Sequence, residues 1–161
     1  MSQSSLNPSM RAVIVTALAS AANAAGSHST AAIDMADFAN VQLIGTVGAF
    51  GAGATGTVKF EQSTTDDFAE VKAIEGRDAV ELVENKPVVL DLNQGELDVD
   101  HDYQFVRATL TAVDESITAG FAVLGFDARH APAEPMTGTV VDARHAPAET
   151  MTGTVVDTRA T

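Results

Sequence analysis

The segment 96–102 concentrates carboxylates and is the first place to look for a bound cation. Acidic side chains occupy every second position from Glu96, so an extended backbone would project all of them from one face. Ca²⁺ favours clustered carboxylates, but a calcium loop usually contains a glycine that lets the chain curl around the ion. The segment contains none, so Asp98, Asp100 and Asp102 are weak candidate metal ligands, and a solvated acidic edge is the favoured interpretation.

Nucleophiles and bases are sparse and badly spaced for catalysis. The chain has no cysteine, which excludes disulfides, thiolate nucleophiles and Cys-ligated zinc. Ser27 and His28 are neighbours in sequence, which is not how a catalytic triad is assembled, and no Gly-x-Ser-x-Gly motif is present. No histidine stands in a metal-binding spacing; the four are His28, His101, His130 and His145.

The glycine-rich stretch 45–56 is a second candidate for chemistry, as a phosphate-binding loop. It lacks the Gly-Lys-Ser/Thr ending of such a loop, and its part from 48 to 56 is instead expected to be a long flexible hairpin loop. Because the sequence contains no recognisable active site, we expect a protein that is not an enzyme and binds no cofactor.

The charge balance excludes another class of partner. The 161 residues include 9 Lys and Arg against 22 Asp and Glu, a formal net charge of -13. Such a field repels phosphate backbones, so nucleic acid is not an expected partner.

Residues 11–25 imitate a signal peptide, with an apolar run followed by Ala-Asn-Ala. Arg11 alone makes a weak basic region, so we expect this segment to be retained in the protein. No run of about 18 apolar residues exists, so a membrane span is not expected.

The elements that would position these residues are strands. Apolar and polar residues alternate along 57–62, with Val58 and Phe60 on one face, and along 88–93 and 103–113. Further strands are predicted over 11–18, 41–47, 68–73 and 117–126, and one short helix over 76–84. This pattern predicts an all-β fold: a single antiparallel β-sandwich, jelly-roll-like, with seven or eight strands and a core of small and branched side chains.

The composition changes sharply after Phe126, because all eight aromatic residues precede Asp127. The remaining chain is a tandem repeat of 15 residues, 127–141 and 142–156, which differs only at Pro135 and Thr150. Two short units without large apolar residues cannot form a self-supporting solenoid. We therefore divide the chain into a flexible segment 1–10, a sandwich body 11–126 and an extended arm 127–161.

Each repeat ends in Thr-Gly-Thr-Val-Val, a β-prone stretch that we expect to lack a partner within the arm. We expect it to add to a sheet edge, either of its own domain or of a neighbour. The alternative interpretation is that the duplicated segment is a disordered tail. The body has 6 basic and 17 acidic residues, so basic arm residues suit docking onto an acidic neighbour. The candidate partner contacts are Arg129, His130, Arg144, His145, Val140, Val141, Val155 and Val156.

Five pieces of the body, in order, carry a resemblance to a known family. They are Ala-Ala-Ile-Asp at 31–34, residues 38–44, residues 56–63 with 66–71, residues 103–108, and residues 119–125 running into 129–132. They lie within 31–132, a span of roughly two thirds of the chain, and in this order they resemble small proteins encoded in the head-gene regions of tailed bacteriophages.

The resemblance implies a β-sandwich virion protein of the capsid decoration, or cement, type. It implies the major capsid protein as partner, self-association as a homotrimer, and a place on the outer capsid surface. The net charge favours the same location, because packaged DNA would repel an acidic body inside the capsid. The duplicated arm departs from the family pattern, in which the chain stops soon after the Ala-Pro.

Two other interpretations stay open. A glycan-binding or adhesion module of a tail or surface should expose aromatic residues for stacking on sugars, and one Tyr and no Trp argue against it. A secreted, calcium-stabilised sandwich would need cleavage near Ala25 and ligands at 98–102.

Overall fold

The computed structural model describes residues 11–129 and the backbone of two further segments, 139–142 and 154–157. The body is made almost entirely of strands, joined by short turns and two single 3-10 turns, Gln94–Glu96 and Val99–His101. The strands of the body are β1 Ala12–Asn23, β2 Gly26–Ser29, β3 Ile33–Asp34, β4 Phe38–Phe50, β5 Thr55–Ser63, β6 Lys72–Ala73, β7 Val80–Glu81, β8 Pro87–Asn93, β9 Phe105–Val113 and β10 Ile117–Ala128.

The strands form two antiparallel sheets. The front sheet has the order β1-β10-β4-β8. The back sheet has the order β2-β9-β5-β6, with β3 also on β9 and β7 also on β5. β2 and β3 share one position beside β9, and β6 and β7 share one position beside β5, so the body has eight strand positions. The chain crosses between the sheets at six of the seven connections between these positions, and their order is that of a jelly roll. The predicted all-β, jelly-roll-like sandwich is confirmed.

One hydrophobic core lies between the sheets. Val58 and Phe60 of β5 are buried, as their alternation predicted, and they share the core with Leu43, Leu110 and Val123. The core consists mainly of Val, Leu, Ile and Ala, so the two sheets can approach closely. Glycine makes room for the aromatic rings: a Cβ added at Gly45 would overlap the ring of Phe121, and one added at Gly125 would overlap Phe38.

The segment that imitates a signal peptide is the edge strand β1. It pairs with β10 from Ala12 opposite Phe126 to Asn23 opposite Ile117. Asn23 is buried, and its side-chain amide donates to the carbonyls of Ile117 and Ala119 at 3.2 Å each. Cleavage near Ala25 would remove this strand from the front sheet.

Three local predictions are wrong. The strand predicted over 68–73 is reduced to Lys72–Ala73, because Phe68 takes a left-handed φ of 53° that leaves its ring buried beneath Arg107. The expected helix over 76–84 is absent: Val80–Glu81 pairs with β5, and the amide of Leu82 donates to the carbonyl of Gly56 at 2.8 Å. Tertiary pairing and the burial of Leu82 override a weak helical pattern there. The long glycine loop is also shorter than predicted, because β4 extends to Phe50 and β5 begins at Thr55.

The arm contributes β11, Thr139–Asp142, and β12, Thr154–Asp157, which pair with each other in parallel. The prediction that these stretches have no partner within the arm is therefore wrong. Identical repeats align residue for residue, with Val140 opposite Val155 and Val141 opposite Val156.

Candidate interaction surface

The outer surface of the front sheet is the most unusual feature of the body, and we call it the front face. It consists of three cross-strand rows, each with one residue from β1, β10, β4 and β8, and residues in one row share a face. The rows are Ala12, Phe126, Asn40 and Asn93; Ile14, Leu124, Gln42 and Asp91; and Ala17, Ala122, Ile44 and Val89. Asp91 is the single charged residue among them.

Large apolar side chains of the front face are open to solvent. Ile14 is 46% exposed, Ile44 42% and Val89 54%, and Ile44 and Val89 are direct cross-strand partners. Single exposed aliphatic residues are ordinary on protein surfaces, whereas a contiguous group marks a candidate interaction site.

A shallow groove of about 740 Å³ crosses one end of the front face. Its polar groups are hydrogen-bonded to one another: Asn93 Nδ2 donates to Asn40 Oδ1 at 2.7 Å, and Gln42 Nε2 donates to Asp91 Oδ1 at 2.7 Å. Asn40 Nδ2 in turn donates to Asp127 Oδ2 at 3.1 Å. The charged residues that line the groove are two arginines and two aspartates: Arg11, Arg77, Asp91 and Asp127.

The outer surface of the back sheet, the back face, is mainly polar, with one large apolar side chain, Val113, 47% exposed at the end of β9. Ser29 and Thr109 share a hydrogen bond of 2.9 Å across β2 and β9, and Thr109 Oγ1 donates to Glu61 Oε2 at 2.9 Å. Glu61 is 7% exposed and also pairs with Lys59 at 3.0 Å and Arg107 at 3.2 Å. The guanidinium of Arg107 lies over the ring of Phe68, 4.4 Å from its centre.

The surroundings of Glu61 set its ionisation. Burial by itself would raise the pKa of this carboxyl, but hydrogen bonds from Lys59, Thr109 and Arg107 and the charge of Lys59 outweigh it. The net effect lowers the pKa of Glu61 below its ordinary value, so the carboxylate stays ionised while it is mostly buried.

The acidic segment does not form the one-sided row that an extended backbone would give, and that prediction is wrong. The two 3-10 turns curl it, and Asp102 takes a left-handed φ of 63° at the end of the second. The carboxylate of Asp98 is instead paired with Lys72 and with His101 Nδ1, the latter at 2.7 Å. The hydrogen bonds from Lys72 and then His101 lower the pKa of Asp98.

Asp100 and Asp102 do not join Asp98 in a common site. Within residues 11–129, no group of three or more His, Asp or Glu side chains is placed to hold a metal ion. The weak candidates for metal ligation therefore gain no geometric support in this part of the chain.

Of the predicted partner contacts, Arg129 is the one whose side chain the structure describes. Its backbone amide donates to the carbonyl of Asp37 at 2.9 Å and its guanidinium to Gln94, so it fastens the end of β10 to the body. His130, Arg144 and His145 lie outside the described residues. Val140, Val141, Val155 and Val156 lie in the paired backbones of β11 and β12.

Sequence reasoning missed the front face. Its signal was present: β1 and β10 carry nearly uninterrupted apolar residues, AVIVTALASAA and ITAGFAVLGF, where a half-buried strand would alternate. Such runs are typical of strands covered on both sides. Which residues of β4 and β8 complete the surface depends on strand order, which the local pattern does not contain.

No protein-family model, no curated protein and no solved structure matches this chain. The part of the chain that the structure describes contains no helix that could serve as a membrane span.

Proposed function

We propose that this protein is a non-enzymatic virion protein of a tailed bacteriophage that decorates the outer surface of the capsid. The observation that carries the proposal is that the segments resembling phage head-region proteins fall, within residues 11–129, on β3, β4, β5, β9 and β10 of one jelly roll and on the loop that follows β5. Jelly rolls are common in viral capsid proteins, and also in lectins and cupins, so the fold supports the proposal without deciding it.

The mechanism we propose is mechanical. A decoration protein binds the major capsid protein where capsomers meet, as a homotrimer in this proposal, and clamps neighbours together. Symmetry repeats each contact many times over the shell, so modest contacts per copy add up to resistance against internal pressure. The negative body suits the outside, because packaged DNA would repel it inside.

The test is binding of the purified protein to capsids that lack it, with a second protein that ends after Arg129. The shorter chain keeps β1 to β10 and removes the arm. We expect saturable binding at a fixed ratio to the major capsid protein, weakened by loss of the arm. An absence of capsid binding by the full chain would contradict decoration.

A second candidate is glycan binding by a tail or surface module. The observation that favours it is the groove, where Asn40, Gln42 and Asn93 offer amides that could pair with sugar hydroxyls over an apolar floor. Phe126 is the one aromatic residue in its lining, which limits stacking on sugar rings. Glycan-array binding that an Asn40→Ala change abolishes would favour this candidate over decoration.

A further inference from the structure

We infer that the front face is a self-association surface through which copies of this chain pack against one another. The occupant is a second copy. The inference concerns the free protein and stands or falls independently of capsid binding.

The first argument is electrostatic. The body carries 6 basic and 17 acidic residues, so two copies repel each other across most of their surfaces. The front face has one charged residue in its three rows, and the groove at its end adds Arg11, Asp127 and Arg77, the last paired with Glu96. A like-charged copy therefore meets far fewer carboxylates on this face than on the rest of the body.

The second argument concerns desolvation. Polar groups resist burial unless they are hydrogen-bonded, and the amides of Asn93 and Gln42 already bond to Asn40 and Asp91 within the face. Burying Ile14, Ile44 and Val89 then makes the free energy of association favourable, because apolar surface is removed from water, as at the apolar centre of other homomeric interfaces.

The third argument favours a second copy over a partner of another kind. A basic partner would be drawn to the acidic remainder of the body and gain little from a nearly neutral face. Packing about a symmetry axis brings copies of one surface together, so Arg11 of one copy can face Asp91 or Asp127 of another. Arg77 is already paired with Glu96 of its own chain, so Arg11 is the groove arginine that carries this complementarity.

The experiment is sedimentation equilibrium of the full chain across the micromolar range, with two matched variants. Val89→Glu places a charge on the front face. Val83→Glu places the same charge on a valine outside it, and the two side chains are 54% and 56% exposed. Circular dichroism checks that both variants are folded.

We expect the unaltered chain and Val83→Glu to associate alike, and Val89→Glu to weaken association by roughly tenfold or more, because its carboxylate would have to be desolvated. A wild-type chain that stays monomeric overturns the inference, as does equal association of the two variants. Loss of association in both would also overturn it, because general repulsion rather than this face would then control assembly.

Discussion

The front and back faces of the sandwich are both built from antiparallel strands over one core, but they differ in the polarity of the side chains that they expose to solvent. The back face ties Glu61 to Lys59, Thr109 and Arg107 and so satisfies its polar groups within one chain. The front face leaves Ile14, Ile44 and Val89 open to water. The difference indicates that the back face is suited to contact with water, whereas the front face would be stabilised by burial of its apolar side chains against a partner.

The largest effect on this comparison should come from removing the central carboxylate of the back face. Glu61→Ala leaves Arg107 and Lys59 without their anion and takes an acceptor from the buried Thr109 hydroxyl. We expect a loss of about 2–3 kcal/mol in the free energy of unfolding. Urea denaturation measures it, with Glu81→Ala on exposed β7 as the control. Equal losses in the two variants would mean that the back-face network adds nothing.

Acid should act on the same carboxylate without removing its packing. The pKa of Glu61 is lower in the folded chain than in the unfolded one, so the unfolded chain binds its proton first as the pH falls. The stability that Glu61 contributes is present above its unfolded pKa and is lost as the pH falls through its folded pKa.

Thermal melts of the wild type and Glu61→Gln between neutral and strongly acidic pH test this. We expect the gap in melting temperature between them to close as the pH falls. A gap that stays constant would show that the ionisation of Glu61 does not contribute.

A matched pair of smaller changes compares the faces directly. Thr109→Val on the back face removes a buried hydroxyl that serves Glu61 and Ser29, and should cost about 1 kcal/mol. Gln42→Val on the front face removes a solvent-exposed amide, and should change stability by less than about 0.5 kcal/mol. Chemical denaturation at low protein concentration, where association is minimal, measures the change in the free energy of unfolding of each variant. A larger cost at Gln42 would reverse the comparison.

The smallest effect is expected at the acidic segment, which belongs to neither face. Lys72→Met breaks the pair with Asp98 and the contact with Tyr103, but water replaces both. We expect a melting temperature close to that of the wild type, and still closer at high salt, where such pairs are screened. A clear drop would show that this segment is a structural anchor.

Part of the candidate surface was predictable in principle. The apolar runs of β1 and β10 indicate cover on both sides of a strand, and the charge count leaves few places where acidic copies could meet. The contribution of Ile44 and Val89 was not predictable, because it depends on β4 lying between β10 and β8. The same holds for Glu61 and Asp98, whose partners Arg107 and Lys72 are distant in the chain.

Features that depend on neighbouring residues could be predicted: strand periodicity, the composition of the core, the excess of acidic residues and the duplicated arm. These follow from neighbouring residues, because alternation along a strand is the condition for burying one of its faces. The tertiary structure alone decided strand order, the replacement of the expected helix by β7, and the curling of the acidic segment away from a one-sided row. These depend on hydrogen bonds and burial between residues far apart in the chain, which outweigh weak local preferences.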